Sequence, residues 1–337
     1  MRILAGDIGG THTRIALFEE NADTSLKLRL ERIYPSRDYK SLDEIVGLFL
    51  SSQKEIIDCA CFGIAGPVIH GEVSTPNLAW TVNALRLARE VGVAPVWLIN
   101  DLQAHASGVD DLTASDFVAL NQVEAGAGNA ALIAAGTGLG EAGLYWDGAR
   151  RWPFPCEGGH TDFAPRNEIE IALLEYLLKK FGRVSYERVV SGPGLKNIYA
   201  FLRDTGKEQE PEWLKEQLAN SPDPVALISD DGIQGKTPIC QRTIDIFVSV
   251  YGAEAGNLAL KMLATGGVFL SGGIAAKILP KLTGPAFIKA FVTKGRLQPL
   301  LESIPVKVIV NDRVGLIGAA RYAVREHSAK PQLAIGN

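Results

Sequence analysis

Three signatures that would settle a chemistry at once are missing. No HExxH, no CxxC pair and no GxxxxGK[ST] run occurs in the chain. Their absence removes the helical zinc-protease site, the zinc knuckle or thioredoxin-type motif, and the P-loop. No apolar stretch approaches the roughly 20 residues of a membrane span. Basic residues are not in excess: 34 Lys and Arg face 38 Asp and Glu, for a net charge of −4. A nucleic-acid-binding surface is therefore not indicated. Cysteine is scarce, with four in 337 residues. Cys59 and Cys61 share one face of the strand-like run "IIDCACFGIAG" and read as buried, reduced thiols. Met1-Arg2 and the few apolar or small residues before Asp7 do not form a signal peptide, so a cytoplasmic protein is expected.

What is present is an α/β pattern long enough for two domains. "RILAGD", "TRIALFE" and "LKLRLERIY" read as three strands, and Ser41 can cap a helix over about 41–53. Strand "IIDCACFGIAG", a helix at 83–91, strand "PVWLIN" and a helix from 101 follow. Strands restart at "NAALIAAG" and "GEAGLYWD", joined by Gly136-Thr137-Gly138-Leu139-Gly140, so the second half begins as the first does. Helices are expected at 167–181, 185–190, 194–204, 211–219 and 237–264. "GVFLSGG", helices to about 302, "VKVIV" and a helix at 315–326 close the pattern, with "SAKPQLAIGN" loosely attached. The chain is expected to cross between domains near 108–112.

The glycine turns carry the first chemical signal. In "LAGDIGGTHTRIALF" an acid precedes a glycine pair between two strands. Such a turn presents backbone N–H groups with no Cβ in the way and can wrap a phosphate, while Asp7 could reach a hydrated Mg²⁺. An ordinary tight hairpin is the alternative. A second such turn at 136–140 points to two lips holding one polyphosphate. "LSGGIA" at 270–275 ends a strand and opens a helix, a placement that suits a nucleoside. On the acceptor side, Asn100-Asp101 follows a strand end, where α/β sheets place ligands. An ionised Asp there can take a hydroxyl proton, although a helix cap is the simpler local reading. Glu157 and His160 flank a glycine pair in "CEGGHTD", and Glu187 precedes "SGPG". Their bland readings are a turn and a favourable charge near a helix start; a zinc site lacks a third ligand nearby.

Together, D-x-G-G-T, G-T-G-x-G and S-G-G-I-A resemble the superfamily of sugar kinases, heat-shock ATPases and actin. "INDLQAHASG", "EGGHTDFAP", "YERVVSGPGLKNIY", "YGAEAGNLAL" and "LSGGIAAKIL" narrow the resemblance to bacterial ATP-dependent glucokinases, over about residues 2–325. The resemblance implies a two-domain, ribonuclease-H-like (actin-like ATPase) α/β sugar kinase fold with a central cleft. The small domain would span 1–110 plus 312–337 and the large one 111–311. It implies transfer from ATP, with Mg²⁺, to the 6-hydroxyl of glucose, and Asp101 as general base. Asn100, Asp101, Glu157, His160 and Glu187 would hold the sugar. Gly6, Asp7, Ile8, Gly9, Gly10, Thr11, Gly136, Thr137 and Gly138 would face the phosphates, Gly272 and Gly273 the adenosine, and Asp7 the metal through water. A homodimer is expected by the same analogy. His12 departs from the asparagine that many glucokinases carry after D-x-G-G-T. His70, His105 and His327 carry no argument. Another hexose such as mannose or fructose, or a non-catalytic sugar sensor of the same fold, stays open as an alternative. No helix-turn-helix precedes the first strand to make a repressor.

Overall fold

Alternation along the first strands decides how the chain layers. A computed structural model describes residues 1–52, 55–75, 78–93, 95–124 and 126–329. Two compact units emerge: Met1–Asp116 with Pro153–Pro155 and the chain from Asn311, and Phe117–Trp152 with Cys156–Val310. In the first, β1 (Arg2–Ile8), β2 (His12–Glu20) and β3 (Leu26–Pro35) form an antiparallel meander. Helix α1 (Leu42–Ser51) is capped by Ser41, whose side chain accepts from Glu44 N. Then come β4 (Cys59–Ile64), the small hairpin β5 (Glu72–Ser74) and β6 (Thr81–Asn83), α2 (Ala84–Val91), β7 (Val96–Asn100) and α3 (Asp101–Gly108). The sheet order is β3-β2-β1-β4-β7, with β4 and β7 parallel to β1.

Successive strand residues face opposite sides, so each face builds its own core. Leu4, Ile8, Leu17, Phe62 and Leu98 pack with α1 and α2 residues such as Phe49 and Leu87. Ile3, Ala5, Phe18, Cys59, Cys61 and Ile99 pack with Ala104 and the last helix, through Leu316, Ala319 and Ala323. Cys59 and Cys61 are buried, free thiols on that second face, and burial pushes the Cys59 thiol up to about 12.

The second unit repeats the plan. It contains β8 (Phe117–Ala119), β9 (Ala130–Ala135), β10 (Leu139–Trp146), the ends of β11 (Arg151–Cys156, of which Pro153–Pro155 group with the first unit), α4 (Glu168–Phe181), α5 (Gly192–Asp204), α6 (Glu212–Asn220), α7 (Pro224–Gln234) and α8 (Pro238–Met262). Strand β12 (Gly267–Ser271), four short helices α9 to α12 (Gly273–Lys277, Leu279–Leu282, Pro285–Val292 and Gln298–Glu302) and β13 (Val306–Ile309) complete it. The chain then returns to the first unit as α13 (Val314–Ala329). The sheet order β11-β10-β9-β12-β13-β8 carries the same antiparallel-then-parallel pattern, closed by an antiparallel edge strand. Helix α8 is buried along most of its 25 residues. Gly252 and Gly256 let α11 lie against it: a Cβ there would stand 2.3 Å from Phe287 O and 2.5 Å from Phe291 O.

Several local expectations need correcting. The helix expected at 185–190 is only a 3-10 turn, Tyr186–Arg188, because Ser191 starts a new helix by accepting from Gly194 N. Helix α7 was not anticipated, although Asp223 caps it, Pro224 opens it and Gly235 ends it at φ 65°. Strand β11 contains Pro153 and Pro155, which an edge strand tolerates. Gln53, expected to end α1, and Lys330–Asn337, most of the loosely attached tail, lie outside the described residues. Among the described residues no helix is long and apolar enough to cross a membrane.

Candidate active site

Asp7 sits inside β1, on the face that packs against α3 and α13. Its cross-strand partner is Arg14, whose guanidinium donates to Asp312 Oδ2 (2.7 Å). A Cβ on Gly315 at the start of α13 would lie 2.8 Å from Asp7 Oδ2 and 3.0 Å from His105 Nε2, so these two side chains close over that glycine. Asn100 ends β7 and caps α3: its Oδ1 accepts from Leu102 N (2.9 Å) and Gln103 N, and its Nδ2 donates to Gly66 O (3.2 Å). Asp101 is the first helical residue, with Oδ1 accepting from Leu102 N (3.0 Å). Gly63 on β4 brings α3 down onto the sheet, since a Cβ there would be 2.7 Å from Ala104 Cβ.

This packing puts two carboxyls and an imidazole in one field. Burial raises the proton affinity of Asp101; His105 opposes that and Asp7 adds to it. Asp7 is raised as well, again mainly by burial, with His105 and Arg14 opposing. Two hard-oxygen carboxyls whose charges repel suit a divalent cation that keeps its waters, so the donor set fits Mg²⁺ met through solvent.

The turn after Asp7 is rigidly built. Gly9 N donates to His12 O (3.0 Å), and Ser36 bonds both Gly9 O (2.8 Å) and, through its backbone N, Thr11 O (2.9 Å). Gly9's N–H is therefore committed, which leaves Gly10 and the exposed Thr11 as the open part of the turn. Gly6 and Ile8 serve packing: a Cβ on Gly6 would meet the Phe62 ring at 2.4 Å, and the Ile8 side chain is in the core.

In the second unit, Gly136 N donates to Gly138 O (2.8 Å), and Gly192 N at the start of α5 donates to Gly136 O (2.8 Å). Gly272, at φ 87°, abuts the same corner: a Cβ would stand 2.6 Å from Ala135 O. The second glycine turn, the S-G-G stretch and the S-G-P-G helix start thus converge. Thr137 is exposed at the turn's tip.

Glu157, His160 and Glu187 also come together. Tyr186 N donates to Thr161 O (3.0 Å), Arg183 holds His160 O and Asp162, and Asp162 bridges Ser185. His160 then stands 3.9 Å from a carboxylate oxygen of each glutamate, through Nε2 to Glu157 and Nδ1 to Glu187. The other Glu187 oxygen accepts from Leu139 N (3.0 Å), and a Cβ on Gly138 would lie 2.4 Å from it. Glu187 therefore touches the glycine turn and the His160 cluster at once. Directional acceptors, one exposed and one half-buried, with an exposed imidazole in one cluster are what hydroxyl recognition needs.

The glucokinase family profile matches residues 4–326. The chain belongs to the glucokinase family. A glucokinase of Nostoc punctiforme is 44% identical over 340 residues, covering 96% of this chain and 99% of that one. A glucokinase from an Antarctic psychrotroph superposes with a TM-score of 0.82 at 29% identity, over 96% of this chain and 99% of its own. The glucokinase of Balamuthia mandrillaris, solved in complex with glucose, gives a TM-score of 0.78 at 22% identity, over 96% and 93%; that likeness speaks for the fold. The two mixed sheets of this glucokinase-family chain are those of the actin-like ATPase fold.

Two residues escaped sequence reasoning. His105 was set aside, yet it stands one helical turn from Asp101 and bears on both carboxyls. Its i+4 spacing was the available signal. Glu141 was read as one more strand residue; it is 1% exposed, and its two oxygens meet no donor.

Proposed function

We propose that this chain transfers the γ-phosphoryl group of ATP to the 6-hydroxyl of D-glucose, with Asp101 as the general base. The observation that carries the reading is the setting of Asp101 at the strand-to-helix junction. Burial, with Asp7, raises its proton affinity while His105 opposes the rise, and a carboxylate with raised proton affinity is a stronger base. Glu157, His160 and Glu187 hold the hydroxyls of the sugar, because carboxylates and imidazole discriminate where each hydroxyl points. Asn100 holds α3 in register so that Asp101 is fixed. The backbone at Gly10-Thr11 and at Thr137-Gly138 meets the phosphates, and Gly272-Gly273 borders the adenosine. Asp7 would hold, through water, a Mg²⁺ accompanying the nucleotide, and that ion would supply neutralisation of charge on the phosphates. Everything else is positioning, as phosphoryl transfer requires.

The test is a coupled ADP-release assay with ATP over glucose, mannose, fructose and N-acetylglucosamine. Glucose should give the highest kcat/KM. A stronger response to another hexose would move the substrate, and no turnover with any sugar would leave a sensor of the same fold.

A further inference from the structure

Under the Gly158–His160 turn lies a buried acid pair that the proposed reaction does not use. Glu141 on β10 and Glu254 on α8 are 1% and 0% exposed. Glu254 is well supplied with donors. Asn257 Nδ2 donates to its Oε2 (2.8 Å), Lys261 Nζ to its Oε1 (3.4 Å), and the Tyr186 hydroxyl bonds it too. Lys294 is spent on Ala253 O (2.9 Å) and Asn257 Oδ1. Glu141 has no N–H or O–H donor on either oxygen. The charged and titratable groups that feel it are Glu254 and Lys261 on α8, the Tyr251 hydroxyl on α8 and the Cys156 thiol on β11, and Gly158 lies directly against it. An ionised carboxylate there would be buried, unbonded and beside a second carboxylate, which is strongly unfavourable. A proton on Glu141, donated to Glu254, removes all three costs.

The pair also bears on the hexose residues. A Cβ on Gly158 would be 1.8 Å from Glu141 Oε2, and one on Gly159 2.0 Å from Leu139 O. The turn that carries Glu157 and His160 therefore rests directly on β10, at Leu139 and Glu141. Resting on the glucose reading above, we propose that Glu141 is a positioning residue. As a neutral acid hydrogen-bonded to Glu254, it seats the Gly158–His160 turn, and its ionisation lifts that turn and weakens hexose binding.

Burial and Glu254 push the Glu141 carboxyl up to about 8, with Lys261 opposing. Burial brings Lys294 down to about 8, so it loses its charge over the same range and adds to the negative charge around Glu254. If only the neutral form seats the turn, the competent fraction falls to about one tenth at pH 9, and KM for glucose rises about ten-fold.

The experiment measures KM for glucose and for ATP from pH 6 to 9.5 in the wild type and in Glu141→Gln. The amide is neutral at every pH and still donates to Glu254. The expected result is a wild-type KM for glucose that rises about ten-fold between pH 7 and 9, while the variant matches the wild type at pH 7 and stays flat. A rise that persists in the variant assigns it to Lys294 or another group and overturns the proposal. So does a ten-fold higher KM for the variant at pH 7.

Melting temperature supplies a readout free of substrate. Native Glu141 keeps a proton that the unfolded chain releases, so wild-type stability falls between about pH 4.5 and 8. The advantage of Glu141→Gln over the wild type should widen across that window and level off above it. A constant difference would overturn the neutral acid. If no hexose is phosphorylated but the widening is seen, the substrate reading fails and the acid pair stands.

Discussion

Replacing Gly159 by alanine tests whether the hexose cluster is rigidly seated. The new methyl would start 2.0 Å from Leu139 O, 2.9 Å from Leu139 C and 3.0 Å from Leu139 Cβ. Ordinary contact begins at 3.4 Å, so something must move by about 1.4 Å. Leu139 is poorly placed to yield: it pairs with Ala135 across the sheet, and its N–H is held by Glu187. The turn must give, and His160 is the next residue. Displacements near 1 Å at a binding group cost about 10²-fold in rate, and hydrogen bonds to charged groups are worth about 1.5–3 kcal/mol each. Gly159→Ala should therefore lower kcat/KM for glucose by roughly 10²-fold, mainly through KM. KM for ATP should change far less. Gly47→Ala is the control, since Gly47 is exposed on α1 with nothing within 4 Å of a Cβ. Steady-state kinetics on both, with circular dichroism to confirm folding, decide the matter. A folded Gly159→Ala protein with a wild-type KM for glucose would refute the rigid seat.

His105→Gln removes the group that lowers the proton affinity of Asp101, so Asp101 should ionise at higher pH. The acid limb of the kcat profile should move upward in pH, and an unmoved limb would separate His105 from the base. Gly318→Ala should destabilise the first unit by roughly 1–3 kcal/mol, the usual cost of overpacking. A Cβ there would sit 1.7 Å from Ala104 O and 2.7 Å from Gly108 N, both main-chain atoms of or beside the Asp101 helix. Urea denaturation measures it, and an unchanged midpoint would mean that α3 and α13 separate at little cost.

Much of the scaffold was legible because its signals are local. Alternation marked β2 and β3, Ser41 marked the start of α1, and two strand–glycine–strand units marked the repeated sheet plan. Strand β11 was hidden by its two prolines, whose tolerance depends on its place at a sheet edge. The grouping of Glu157, His160 and Glu187 depends on bonds between residues about 20 positions apart, such as Arg183 to Asp162. No spacing rule announces those. Likewise, no local signal shows that Gly6 makes room for Phe62 on the adjacent strand, or that Gly63 makes room for Ala104 on α3. Glu141 had a faint signal: it lies two residues after Leu139 on the inward face of β10. What it meets there, Glu254 more than a hundred residues on, only the fold brings to it.

The most direct measurement for the central claim is single-turnover phosphoryl transfer from ATP to glucose by Asp101→Asn. The amide keeps the shape and the bond to Leu102 N but cannot accept a proton. The transfer rate should fall by roughly 10²–10⁴-fold, the scale of a lost general base, with glucose affinity changed only a few-fold. Transfer at the wild-type rate would contradict the account, and Asp101 would then be a helix-start residue and nothing more.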